Sequence, residues 1–156
     1  TMYTAANPCR MGVSIPEQFK DRFWARHSNP VSGWTRVPVG AVIVYAIYHR
    51  NWRVFGAALV WTVINPVLFS TPDTEGAWMT RAVLAERWWI NTETNRTVGL
   101  GYPNICNTAG ALGFVYALYA AWRQSPVKAG FGVILSIGLK LWWLRVLIRQ
   151  YERRAE

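Results

Sequence analysis

The sequence predicts an all-α integral membrane protein with four transmembrane helices in two hairpins, each hairpin preceded by an amphipathic helix at the membrane interface. Two observations lead to this fold class. Four apolar stretches dominate the chain, and Trp, Tyr or Arg stands near most of their ends, as at a lipid–water boundary: roughly 37–48, 54–69, 105–122 and 127–144. Lipid offers the backbone no hydrogen-bond partner, so such stretches enter the bilayer as helices.

Composition limits the chain to one membrane domain over 1–156 and to a short set of partners. Its 156 residues are 52% hydrophobic and carry a net charge of +9. Lys and Arg lie at the ends of the predicted helices and not in one stripe, which favours anionic membrane lipids over nucleic acid as the partner. Cys9 and Cys106 stand in unlike surroundings without metal-ligand spacing. We therefore expect no metal site and no resident cofactor, while a bound lipid, quinone or pigment stays compatible with the chain.

The N-terminal segment is expected to be disordered over 1–13 and to form an interfacial helix over 14–27. Ser14 opens a capping-box pattern, and Phe19 and Phe23 lie four residues apart among charged neighbours. The Asn-Pro pair that follows ends this helix, because a residue before proline avoids the helical conformation.

The first hairpin is predicted over 36–69, with its turn at 49–53. At 1.5 Å per residue, the apolar stretch 37–48 rises only about 18 Å, against a hydrocarbon core of about 30 Å. The residues just before it must therefore enter the membrane, or the bilayer must thin. A re-entrant hairpin is the alternative. In the second arm, Asn65-Pro66 is expected to kink or end the helix.

A second interfacial helix is predicted over 72–90, and the second hairpin over 104–151. Pro72 would occupy the first helical position, with acidic residues in the first turn. One face of this helix carries two tryptophans and two alanines at helical spacing: Trp78, Ala82, Ala85 and Trp89.

A short internal repeat suggests two similar units. The segment Tyr-Ala-Ile-Tyr at 45–48 is followed by Trp52-Arg53, and Tyr-Ala-Leu-Tyr at 116–119 is followed by Trp122-Arg123. Each copy ends an apolar stretch at a predicted turn, which indicates two units of surface helix plus hairpin in parallel. Chance similarity of interfacial aromatic residues is the alternative.

An even number of spans places both termini on one side of the membrane. That side carries twelve Lys or Arg, and the two hairpin turns carry four. By the positive-inside rule the termini face the cytoplasm. All eight acidic residues also lie on the terminal side, which weakens the charge contrast.

Small residues recur every four positions along the third and fourth stretches. This spacing lets two helix backbones touch, and it predicts helix packing through Ala109, Gly113, Ala117, Ala121, Gly132 and Ser136. The alternative is that these faces bind a partner helix, a pigment or a quinone. Lys140 continues the series, and we expect its amine to reach the interface near Trp142-Trp143.

Counting outward from the turns predicts a polar layer on the terminal side. Arg36 falls at the depth of Asn65, and Asn104 falls at the depth of Arg145, all toward the terminal side and with His27 nearby. The predicted contacts to an anion or a lipid headgroup are Arg36, Asn65, Arg81, Glu86, Arg87 and Asn104. Helix capping and interfacial ion pairs are the alternative. The two histidines are expected at opposite faces, which disfavours a haem or di-iron site.

Three strings resemble an uncharacterised family of small prokaryotic membrane proteins: HSNPVSGWTR at 27–36, NPVLF at 65–69 and AWMTRAVLAER at 77–87. The resemblance covers roughly 23–150. It implies a prokaryotic inner or cytoplasmic membrane location and a shared fold, and it carries no activity.

Catalysis has no specific support, because the chain contains no triad pattern, phosphate-binding loop or CxxC. The sequence therefore favours an accessory or assembly subunit of a larger membrane complex, of respiratory or photosynthetic type, with other membrane subunits as partners. The first alternative is an interfacial enzyme or binding protein for a lipid headgroup or isoprenoid, with Glu86 as acid or base. A small transporter is a further alternative, and it would need an oligomer to line a path.

Overall fold

The computed structural model describes residues 23–72, 76–91 and 96–154. Within these ranges the regular structure is helical, with no strand, and this confirms the all-α class. Residues 23–27 are helical and six helices follow: α1 (Pro30–Arg36), α2 (Val39–Tyr48), α3 (Trp52–Leu68), α4 (Trp78–Asn91), α5 (Asn104–Trp122) and α6 (Pro126–Arg153). The predictions for 1–13 and for most of the helix at 14–27 lie outside the described residues.

Three helices are long and apolar enough to cross a membrane: Pro30–Tyr48, Asn104–Trp122 and Pro126–Arg153. The first of them joins α1 to α2, so α1 supplies the length that 37–48 lacks. Asn29 caps its start by accepting from the backbone N–H groups of Val31 and Ser32, and Pro30 stands at its first turn. The helix α3 is apolar but shorter, at 17 residues, and it ends just after Pro66.

The two hairpin turns share one backbone geometry. Arg50 and Gln124 both adopt a left-handed conformation, with φ of 54° and 59°. The N–H groups of 49, 50 and 51 bond to the carbonyls of 45, 47 and 46, and those of 123, 124 and 125 bond to 119, 121 and 120 in the same pattern. This equivalence pairs Tyr45 with Tyr119. The sequence repeat instead pairs Tyr45 with Tyr116, so the predicted register is displaced by nearly one helical turn.

The turns also bond to each other reciprocally. Arg50 Nη2 donates to the Trp122 carbonyl at 2.8 Å, and Gln124 Nε2 donates to the Tyr48 carbonyl at 2.5 Å. The Arg50 guanidinium in addition lies 3.9 Å from the centre of the Trp122 ring. Each turn therefore donates a side-chain hydrogen bond to the equivalent carbonyl of the other. The two turns are related by an approximate two-fold axis.

The helices α5 and α6 pack antiparallel with their backbones in close contact. A Cβ placed on Gly132 would lie 2.8 Å from the Gly113 carbonyl oxygen and 2.8 Å from the Ala117 Cβ. A Cβ on Gly110 would lie 3.3 Å from the Ser136 carbonyl oxygen. Side chains larger than hydrogen at Gly132 would therefore separate the pair.

The helix α4 packs on the C-terminal part of α6. It begins at Trp78, later than the start predicted at Pro72. Its face with Ala82 and Ala85 is fully buried against Trp143 and Leu147. The apolar face that suggested an interfacial helix is therefore covered by protein in the described structure, because α6 extends well beyond α5 and offers a partner surface.

Candidate functional site

A cavity of about 390 Å³ lies between the helical segment Pro30–Tyr48, α4 and α6, with Phe114 of α5 behind it. We call it the head cavity. Its polar lining residues come from three separate parts of the chain: His27, Arg36, Glu86, Ser136 and Lys140. The volume is within the usual range for small-molecule sites.

Arg36 and His27 form the first half of the polar end. Arg36 Nη1 lies 2.5 Å from both ring nitrogens of His27, and Nη2 donates to the His27 carbonyl at 3.2 Å. Arg36 Nε donates to the Ser32 carbonyl at 3.2 Å, one turn back on α1. A guanidinium can only donate, so the imidazole accepts through its unprotonated nitrogen.

The environment keeps His27 neutral. Burial, followed by the nearby positive charges of Arg36 and Lys140, lowers the pKa of His27 from 6.5 to about 4. At neutral pH the imidazole is therefore an acceptor for Arg36 and carries no charge.

Lys140 and Glu86 form the second half of the polar end. Lys140 Nζ lies 3.1 Å from Glu86 Oε1 and 4.2 Å from the centre of the Trp143 ring. Lys140 was expected to extend to the interface, but the structure turns its amine to a carboxylate on α4. Its side chain is 41% exposed and that of Glu86 is 21% exposed, so the pair lies at the cavity opening.

The remainder of the head cavity is apolar. Met79 and Val83 of α4 lie on the same face as Glu86, and Ile137 and Leu141 of α6 stand opposite. Gly40 leaves room on α2, where a Cβ would lie 3.2 Å from the Phe114 ring. The cavity is therefore charged at one end and apolar along the rest, the complement of an amphipathic molecule.

Among the described residues that line it, the polar end has a net charge of one positive unit, from Arg36, Lys140 and Glu86. Lys140 is paired with Glu86, whereas the Arg36 guanidinium donates to the neutral groups of His27 and Ser32. An anion placed there would gain a charge-assisted bond from Arg36.

Of the six predicted anion contacts, the structure brings Arg36 and Glu86 into this cavity and places Asn65 elsewhere. The side chain of Asn65 is fully buried between α1 and α3. The Trp61 indole N–H can only donate, so the Asn65 amide oxygen faces it at 3.3 Å and also accepts from Thr35 Oγ1 at 2.9 Å. The amide nitrogen donates to Ser32 Oγ at 2.7 Å. Asn65 therefore fixes α1, which carries Arg36.

The other predicted contacts have structural partners. Arg81 pairs with Glu152 at 2.8 Å. The Asn104 amide nitrogen donates to the Arg96 carbonyl at 2.9 Å, and its oxygen accepts from the indoles of Trp89 and Trp143 at 3.1 and 3.3 Å. Arg87 follows Glu86 on α4 and does not line the head cavity. Depth along the helix was the criterion that grouped these residues, and depth does not show which way a side chain points.

The predicted packing residues lie mainly between α5 and α6. Gly113, Ala117 and Gly132 meet directly, and the Ser136 backbone contacts Gly110, which the prediction omitted. Ala121 is fully buried, whereas Ala109 is only half-buried beside the buried Gly110.

The sequence does not predict a contact to an anion for two members of the polar end, Lys140 and His27. Lys140 was assigned to the interface, and His27 was named only as a neighbour of the polar layer. A lysine inside an apolar stretch is costly in lipid unless it is paired. That cost was the available signal for a partner such as Glu86. In the described ranges no three His, Cys, Asp or Glu side chains lie close enough to hold a metal ion.

Comparison with known proteins bears on the family alone. No curated protein and no solved structure matches the chain. One family model matches residues 12–155, nearly the whole sequence, and the chain therefore belongs to DUF6653, a family of unknown function.

Proposed function

We propose that this protein binds the acidic head group of a membrane amphiphile in the head cavity. One observation carries the proposal: Arg36 lines an amphipathic cavity, and its guanidinium donates to the neutral groups of His27 and Ser32. The Glu86 carboxylate acts on Arg36 from a distance but pairs directly with Lys140, so a bound anion that accepts from Arg36 would stabilise the site.

The depth of the polar end supports an amphiphile that resides in the bilayer. At 1.5 Å per residue, the stretch of α6 from Pro126 to Lys140 rises about 21 Å. In a hydrocarbon core of about 30 Å, the polar end would then lie toward the interface on the terminal side, where acidic head groups reside.

Binding in mild detergent tests the proposal. Native mass spectrometry would follow saturable retention of three probes: oleate, geranylgeranyl phosphate and dioleoyl phosphatidate. Arg36→Gln should weaken retention of the preferred probe by about tenfold or more, because a charge-assisted hydrogen bond contributes about 1.5–3 kcal/mol.

Arg81→Gln is the matched control, since Arg81 pairs with Glu152 away from the cavity. It should leave retention unchanged. Equal retention by the wild type and Arg36→Gln would overturn the proposal, and so would the absence of saturable binding for all three probes.

Four crossings in two hairpins complete the proposed arrangement, in a prokaryotic cytoplasmic membrane with the termini in the cytoplasm. The 17 residues of α3 rise about 26 Å, slightly less than the core, and its outer surface exposes Val60 and Val63, which suits contact with lipid. In a cysteine-free background, single cysteines at Asn51 and Ser125 should both react with an impermeant maleimide from the non-cytoplasmic side. Protection of the cysteine at 51 alone would favour a re-entrant first hairpin.

An accessory role in a larger membrane complex stays a prediction from the sequence, and so does catalysis by Glu86. Gel filtration after extraction from the native membrane in mild detergent tests the accessory role, because a subunit of a complex would co-migrate with defined partner proteins. If the isolated protein retains an amphiphile and Arg36→Gln does not, the result supports binding, whether or not the protein also belongs to a complex.

A further inference from the structure

A second cavity, also of about 390 Å³, lies on the turn side of the head cavity. We call it the tail cavity. It is lined by residues of α2 and α6 and by His49 at the start of the first turn, among them Ala41, Tyr48, Pro126, Gly130 and Val133.

The two cavities are adjacent, because Ala41 on α2 and Val133 on α6 line both of them. Together they follow α2 and α6 from Arg36 and Lys140 to His49 and Pro126, a length of about 21 Å at 1.5 Å per residue. Taken end to end, which we call the groove, they offer a charged end and a long apolar remainder.

We propose that this groove holds a single-chain fatty acid, with its carboxylate at Arg36 and Lys140 and its hydrocarbon chain extended along α2 and α6 toward His49. The inference rests on the proposed function, and it adds the ligand class and the direction of the chain.

The charge of the polar end selects a monoanion. Arg36 and Lys140 contribute two positive charges, Glu86 contributes one negative charge and His27 is neutral. One bound carboxylate neutralises the remaining charge. A phosphate monoester with nearly two negative charges would leave a net negative site and would repel Glu86.

The shape of the groove selects one chain. The helices α2 and α6 contact each other, and Ala41 and Val133 line both cavities, so a ligand that occupies both cavities must run between these two helices. The hydrocarbon chain of the fatty acid gains little from the hydrophobic effect when it moves from lipid into the groove, because lipid is equally apolar. Its position is set by packing and by the anchored carboxylate.

Two glycines of α6 offer a matched test. A Cβ on Gly130 or on Gly138 would meet nothing within 4 Å, so both positions accept a larger side chain without a clash. Gly130 lines the tail cavity, whereas Gly138 lines neither cavity. Gly130→Leu should therefore fill the groove, and Gly138→Leu should leave it open.

Photoreactive fatty acids report where the chain lies. One probe carries a diazirine next to the carboxylate and the other carries it at the chain end, and labelled peptides are mapped by mass spectrometry. In the wild type, the first probe should label residues near Arg36 and the second should label 45–49 and the start of α6. Gly130→Leu should lose the chain-end labelling of 45–49 and keep the head-proximal labelling. Gly138→Leu should keep both.

The outcomes separate this inference from the proposed function. Saturable head-proximal labelling that is lost in Arg36→Gln, with chain-end labelling spread over α3, would overturn the groove and leave the head site standing. Displacement of the probe by dioleoyl phosphatidate or geranylgeranyl phosphate at lower concentration than by oleate would overturn the ligand class. Labelling that is neither saturable nor changed by Arg36→Gln would overturn both proposals.

Discussion

The two hairpins are held together by different chemistry. In the second, α5 and α6 meet backbone to backbone at Gly110, Gly113 and Gly132. In the first, the buried amide of Asn65 connects α3 to α1 through Ser32 and its neighbours. Small residues bring two helices together along a length, whereas one buried amide fixes them at a single level.

This difference explains why a cavity exists. The close pair α5 and α6 forms a platform, with Phe114 at the back of the head cavity. The first hairpin packs on this platform through Val44 of α2, which lies in one buried cluster with Ala117 and Ala121 of α5, and Arg50 and Gln124 join the two turns. The two cavities lie beside this cluster, between α2 and α6.

Loss of close contact in the platform should have the largest effect. In Gly132→Ala, the added Cβ lies 2.8 Å from the Gly113 carbonyl oxygen, so the helices must separate. We expect a loss of about 1–3 kcal/mol in the free energy of unfolding, measured by reversible denaturation in detergent. Gly138→Ala is the control and should not destabilise, because its Cβ meets open space. Equal stability of the two variants would contradict the platform.

Removal of the buried amide should weaken the first hairpin and the site together. In Asn65→Leu, the Trp61 indole loses its acceptor and the Ser32 hydroxyl loses its donor. We expect a loss of about 1–3 kcal/mol of stability, together with weaker amphiphile retention because α1 positions Arg36. Asn91→Leu, at the exposed end of α4, should change neither quantity. Wild-type stability and retention in Asn65→Leu would show that the amide does not fix α1.

Acidification should destabilise the site through His27. Its pKa is about 4 in the folded protein and 6.5 as the ordinary value, so the unfolded chain binds the proton more tightly. The stabilising contribution of neutral His27 is complete above pH 6.5 and is lost as the pH falls from 6.5 toward 4. His27→Gln should flatten the dependence of Tm on pH within that window. A wild-type Tm that does not fall there would contradict the neutral imidazole.

The reciprocal contacts at the turns should have the smallest effect. Arg50→Ala and Gln124→Ala each remove one exposed hydrogen bond to the other turn, and we expect each to cost about 1 kcal/mol or less. Arg53→Ala, exposed beside the first turn, is the control. A double-mutant cycle measures their coupling. A loss above that of Asn65→Leu would place the main attachment of the first hairpin at the turns.

Much of the fold could be read from the chain. The Asn-Pro pair at 29–30 starts a helix where the pattern indicated a break, and α5 begins at Asn104 as predicted. The first crossing helix begins earlier than the apolar stretch, because polar residues in α1 bond within the protein and satisfy one another. The start of α4 was misplaced, since proline and acidic residues favour a helix start without requiring one.

The site could be read only in part. Arg36 and Glu86 were named as anion contacts, and they do line one cavity. Asn104 was grouped with them by depth, yet its amide bonds to the Arg96 carbonyl and to two indoles. Lys140 was assigned to the interface, because its distance from the turn does not reveal the carboxylate that α4 presents to it.

The sequence by itself determined the helices, their turns and their apolar character, because these depend on neighbours along the chain. The tertiary structure alone decided the site. Arg36, Glu86 and Lys140 come from three helices, and their meeting depends on how far each helix is rotated about its axis and on the extension of α6 that receives α4. Residue spacing gives the height of a side chain in the membrane, whereas its direction and its partner follow only from how the helices pack.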